Sequence, residues 1–85
     1  MIEHYQKLRI NLIDLIEQVR NVLPEKDVSE ALDLAEHDEF GVSFELICTQ
    51  LFEYDVKVSA DVYRKLEALG KSMNIDESVW QILKN

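Results

Sequence analysis

Carboxylates aside, few side chains in this sequence could do chemistry. The two histidines, His4 and His37, stand far apart, and Cys48 is the single cysteine, so no internal disulfide is open to it. Nucleophilic work by Cys48 would need a basic neighbour and access to solvent. It falls instead on an apolar helical stripe and reads as a small core residue. One cysteine and two distant histidines do not make a zinc set. A calcium loop needs alternating acids, a glycine and a closing glutamate. The run Glu36-His37-Asp38-Glu39-Phe40-Gly41 lacks that alternation. No glycine-rich phosphate loop and no paired-carboxylate motif with a pocket is visible. The expectation is a non-enzyme with no metal and no cofactor.

The informative chemistry lies in how the charge is distributed. The 85 residues carry 17 acids and 9 bases, a net charge of −8. Residues 25–55 hold ten of those acids and only one base, Lys26, for a net of −9. The rest of the chain is close to neutral. Nucleic acid and anionic membrane carry like charge and are disfavoured as partners. Such a segment can be a solvated surface that maintains solubility. It can equally be a docking face for a basic protein, since clustered carboxylates steer a basic partner toward them. The candidate contact residues are Glu30, Asp33, Glu36, Asp38, Glu39, Glu45, Glu53 and Asp55. Tyr54, set between two acids, is the candidate anchor, with a partly buried core aromatic as its plainer reading.

Helices must position these residues. Tyr5, Leu8, Leu12, Leu15, Ile16, Val19, Val22 and Leu23 recur at spacings of three and four, which predicts one helix over residues 1–23. Ile10 falls on its polar side. Pro24 stops it. Asp27, with Glu30 three residues later, predicts an N-cap and capping box for a second helix with Val28, Ala31, Leu32 and Ala35 inside. Gly41 is expected to let a third helix approach a neighbour closely, with Phe44, Ile47, Cys48, Leu51 and Phe52 inside. Residues 55–58 read as a loop. Ser59 is expected to cap a fourth helix carrying Val62, Leu66, Leu69 and Met73 inward, and Asn74 to end it in a left-handed conformation. Asp76 should cap a last short helix with Val79, Ile82 and Leu83 inside and Trp80 closing the end of the bundle. The expected architecture is all-α, a compact four- to five-helix bundle forming a single domain over residues 1–85. No stretch is apolar for long enough to cross a membrane, and no targeting segment is visible, so the expected location is cytoplasmic.

Acyl carrier proteins share this size, charge and fold class, but attach their prosthetic arm at an Asp-Ser pair. Here Asp27-Val28-Ser29 separates the pair by one residue. A closer likeness lies further along. Glu39-Phe40-Gly41, then a helix with Glu45, then Leu51, Glu53-Tyr54-Asp55 and the capping Ser59 resemble the central signature of the MafI family of bacterial immunity proteins. The resemblance spans residues 32–73. It implies a cytoplasmic antidote that binds one cognate toxin C-terminal domain, often a nuclease, in a 1:1 complex and blocks it. A nuclease cleft must attract phosphate and is basic, which matches the acidic segment. The alternative is a small acidic regulatory or scaffold module that binds another basic protein.

Overall fold

The computed structural model describes residues 2–84, all of whose regular structure is helical. Helix α1 spans Ile2–Val19 and runs into a 3-10 turn at Arg20–Val22. Then come α2, Glu25–Glu36, and α3, Phe40–Glu53. Helix α4 covers Ala60–Ser72, and the single turn α5 covers Ser78–Gln81. The radius of gyration is 11.7 Å, against about 12 Å for a compact chain of this length. The expected all-α bundle of four to five helices is what forms.

Each element follows from local chemistry. Pro24 precedes the first turn of α2, where its missing N–H costs nothing. The Ser59 hydroxyl accepts the Val62 N–H at 3.1 Å and opens α4 as expected. Residues 55–58 are irregular, again as expected. Helices α2, α3 and α4 all end alike. Asp38, Asp55 and Asn74 take positive φ values of 63°, 53° and 56°. In each case the next N–H reaches back five residues: Glu39 to the Leu34 carbonyl, Val56 to Leu51, and Ile75 to Gly70, all at 2.9 Å. These are Schellman closures, which satisfy carbonyls left open at a helix end. Asn74 was legible as such a residue; Asp38 and Asp55 were not.

The core collects Leu8, Leu12, Leu15 and Ile16 from α1 with Val28, Ala31 and Ala35 from α2. Phe44, Ile47, Cys48 and Leu51 of α3 and Val62, Leu66 and Leu69 of α4 join them, and Val19, Leu23, Phe40, Val58, Trp80 and Leu83 belong to the same cluster. Each large side chain among them that is withdrawn from water favours folding by about 1.5–3 kcal/mol. Trp80 closes the bundle, packed edge-on against Phe44 at 6.2 Å between ring centres.

Several expectations fail at the edges of these stripes. Tyr5, Val22, Phe52 and Ile82, read as inward, are exposed. All four lie at or near helix ends, beyond the reach of the element that covers the middle of their stripe. Asp27 is not a cap. It sits in the first turn of α2, buried, and accepts the Gln50 side-chain N–H at 2.9 Å. Pro24 takes its place because α2 starts three residues earlier than that cap would set it. The close helix approach belongs to Gly70 rather than Gly41. A Cβ at Gly41 would meet only Ile75 Cδ1 at 4.0 Å, while one at Gly70 would fall on the Trp80 ring.

Two substitutions at these glycines should therefore have opposite signs. Gly70→Ala displaces Trp80 and should cost about 1–3 kcal/mol. Gly41→Ala should gain up to about 1 kcal/mol from reduced freedom in the unfolded chain. Thermal denaturation followed by circular dichroism checks both, at about 4–8 °C per kcal/mol for a domain of this size.

Candidate functional site

The acidic segment folds into an antiparallel helix pair whose rotation about each helix axis is fixed by two hydrogen bonds. The Ser43 hydroxyl, fully buried, donates to the Ala31 carbonyl at 2.7 Å. Gln50 Nε2 donates to Asp27 at the other end of the pair. Asp27, Ala31 and Leu34 thus share the side of α2 turned toward α3, and Ser43, Ile47 and Gln50 the side of α3 turned toward α2. Small residues at Ala31, Ala35 and Ser43 allow the close approach.

That rotation sorts the nine candidate residues, all of which are exposed. Glu30 and Asp33 fall on the outer side of α2, spaced three apart. Glu45 and Glu53 fall on the outer side of α3, on the line that also carries Val42, Thr49 and Phe52. Glu30, Asp33 and Glu53 share one two-helix face, with Glu45 at its α3 edge. Glu36 follows Val28 and Leu32 at spacings of four, on the side of α2 away from α3. Asp38 is held by Arg9 of α1, so it too belongs to another side of the molecule. Glu39 stands at the entry to α3 and makes no side-chain capping bond. Tyr54 and Asp55 form the turn at its exit. Tyr54 is 53% exposed, so the core-aromatic reading of it does not hold.

Ion pairing is sparser in this segment than on α1 and α4. There Glu17 meets Arg20, Asp61 meets Lys65 and Arg64, and Glu67 meets Lys71, although Asp14 of α1 has no cation within 4.0 Å among the described residues. Arg20 holds the Glu25 carboxyl below the usual carboxylate range, and the Gln18 side chain, with Lys65, does the same for Asp61. Within the acidic segment Glu25, through Arg20, Asp33, through His37, and Asp38, through Arg9, are the paired acids among the described residues. Among the described residues no cation lies within 4.0 Å of Glu30, Glu36, Glu39, Glu45, Glu53 or Asp55. Arg64 and Lys65 are engaged by Asp61. Neither α2 nor α3 has a basic residue in its last turn to offset the negative end of its dipole.

His37 Nδ1–H donates to the Asp33 carbonyl at 2.8 Å, and Nδ1 lies 3.5 Å from the Asp33 carboxylate. The carbonyl bond first, and that carboxylate second, raise its pKa above the ordinary histidine value. The protonated ring therefore favours the folded state. That contribution is fully present below the ordinary value and fades as pH rises through the raised one. Cys48 is the opposite case: burial, with a smaller push from Glu45, drives its pKa up to about 12. Among the described residues no group of three His, Cys, Asp or Glu side chains is placed to hold a metal ion, and no helix is long and apolar enough to cross a membrane.

Compared with known proteins, the chain matches no family model, no curated protein and no solved structure. The site therefore has to be read from its own geometry. What sequence reasoning missed is the apolar content of the face, Val42 and Phe52. The signal was available in the 42-45-49-52 spacing, which places both on the line of Glu45.

Asp27→Ala should strand the Gln50 amide and remove the link between the far ends of α2 and α3. The expected loss is about 1–3 kcal/mol of unfolding free energy, read by urea denaturation. Cys48 should resist a disulfide-exchange reagent at pH 8 in the folded protein and react at once in denaturant, which a colorimetric thiol assay reads directly.

Proposed function

We propose that this chain is an immunity protein that binds the C-terminal domain of a cognate bacterial toxin, 1:1, in the cytoplasm and blocks it. The observation that carries this reading is the set of carboxylates left without basic partners on the face of α2 and α3. Repulsion among clustered like charges opposes compaction. A surface serving solubility alone would be expected to intersperse bases, as α1 and α4 do. Docking with a basic surface supplies the missing cations. The likeness of residues 32–73 to the MafI signature points the same way and adds the class of partner: a nuclease, whose phosphate-binding cleft is basic. A carboxylate face competes there with nucleic acid for the same cations. Steering also suits an antidote, because charge complementarity lifts association from about 10⁵–10⁶ to as much as about 10⁸–10⁹ M⁻¹s⁻¹ at low salt.

Co-expression with the product of the adjacent upstream reading frame tests the proposal. Restored growth and co-purification of a 1:1 complex are expected; neither would be seen if the chain serves as a regulatory or scaffold module for some other basic protein. Within such a complex, Glu30→Lys, Glu45→Lys and Glu53→Lys together should slow association by about tenfold or more and flatten its dependence on salt. Stopped-flow measurements across a salt series read both, and an unchanged rate and slope would reduce the face to a solvated surface.

A further inference from the structure

Two adjoining surfaces of the molecule carry opposite charge. The first is the exit of α3, where the exposed aromatics Phe52 and Tyr54 alternate with Glu53 and Asp55. The second is a largely apolar cavity of ≈ 270 Å³ at the start of α4. Buried Val58 and Leu83 line it with Ala60 and the half-buried Tyr63, and its charged residues are Arg64 and Lys84. No acid lines it among the described residues. Arg64 keeps one carboxylate, Asp61, at 3.9 Å, but Asp61 lies closer to Lys65, at 3.4 Å. Lys84 pairs with no acid among the described residues. A smaller cavity of ≈ 170 Å³ joins the two surfaces: Phe52 and Asp55 line it together with Leu83 and Lys84.

We propose that these two surfaces together form a self-complementary interface, and that the occupant of the cavity at the start of α4 is the α3 exit of a second copy of this chain. Charge complementarity selects the occupant. An apolar cavity rimmed by two cations calls for an apolar side chain flanked by carboxylates, and Phe52-Glu53-Tyr54-Asp55 is such a segment. Glu53 and Asp55 have no cation of their own among the described residues. The dipoles agree: the negative end of α3 meets the positive end of α4. Because the surfaces adjoin, a two-fold axis between copies sets each acidic exit on the other's cavity, so both contacts form at once and the assembly closes as a dimer. The joining cavity, with Asp55 against Lys57 and Lys84, carries both signs, as a surface that meets itself requires. The net charge of −8 on each copy opposes association at long range. The dimer is therefore expected to be weak, with a dissociation constant between about 1 μM and 1 mM. It goes beyond the immunity reading and does not depend on it. Glu53, Tyr54 and Asp55 are also candidate toxin contacts, so a toxin and a second copy compete for them.

The test is sedimentation equilibrium of the chain alone, up to about 1 mM. A monomer–dimer equilibrium is expected, and a monomer throughout overturns the proposal. Phe52→Ser with Tyr54→Ser should weaken the dimer about 30-fold or more, the scale of a hot spot, while Ile10→Ser on α1 should leave it within about threefold. Charge reversal then tests the pairing. A chain with Glu53→Lys and Asp55→Lys, and another with Arg64→Glu and Lys84→Glu, should each stay monomeric. Mixed, they should form a 1:1 heterodimer, because each reversed half meets its complement. All six side chains are exposed, so thermal denaturation should show the variants folded. Amide chemical shifts of the wild-type chain need no variant and should move with concentration over residues 52–64 and 82–84. A dimer that keeps its strength in the serine variant, a mixture that stays monomeric, or shifts that move elsewhere overturns the interface. Each of these results leaves toxin binding to its own co-expression test.

Discussion

The hydroxyl of Ser43 is the contact on which the rest of the surface depends. It is fully buried and satisfied by the Ala31 carbonyl, so α3 packs against α2 in one rotational setting. A larger side chain at 43 would push the helices apart. A small apolar one would keep them close but leave their rotation to packing alone. The Asp27–Gln50 bond repeats the constraint at the other end of the pair. Between them these bonds decide which carboxylates share a face. Rotating either helix by one residue, about 100°, would scatter Glu30, Asp33, Glu45 and Glu53 around the bundle.

The electrostatic organisation is correspondingly lopsided. Helices α1 and α4 are laced by pairs at helical spacing and by the Gln18 bridge to Asp61 and Lys65. Those exposed pairs add little stability each. On α2 such pairing stops at Glu25–Arg20 and Asp33–His37, and among the described residues α3 has none, which matters more because it leaves negative potential to be neutralised from outside the chain. Arg9 marks the boundary. It reaches across from α1 to Asp38 and lies over the Phe40 ring at 5.8 Å, so the positive charge of α1 ends where the acidic pair begins.

Much of the architecture was legible because 3.6-residue periodicity is strong in α1 to α4, and Ser59 and Asn74 carry their usual terminal chemistry. The errors have physical causes. A capping-box spacing at Asp27 is identical in sequence to a buried carboxylate one turn inside a helix; only the start of α2 at Glu25 distinguishes them. A glycine announces close approach without saying to what, and Gly41 and Gly70 are alike until Trp80 is placed on one of them. Phe52 and Ile82 were drawn inward by stripes that the fold cuts short. Of the candidate site, the segment was legible and its division was not. Separating Glu36 and Asp38 from Glu45 and Glu53 requires the helix rotation, and that is a tertiary property.

The three left-handed closures have a further consequence. Glycine suits such a position best, since the Cβ of an L-residue crowds the following carbonyl oxygen there at a cost of about 1 kcal/mol, which Asp and Asn bear better than other side chains. The chain owns two glycines and places neither at 38, 55 or 74. At 38 the side chain has an internal reason, the bond to Arg9. At 55 it has none: the carboxylate bonds to nothing among the described residues and lies beside an exposed phenylalanine, in a conformation its backbone resists. Asp55 is a point of local frustration. Natural sequences resolve such conflicts almost everywhere and retain them mainly where something other than folding governs the choice of residue.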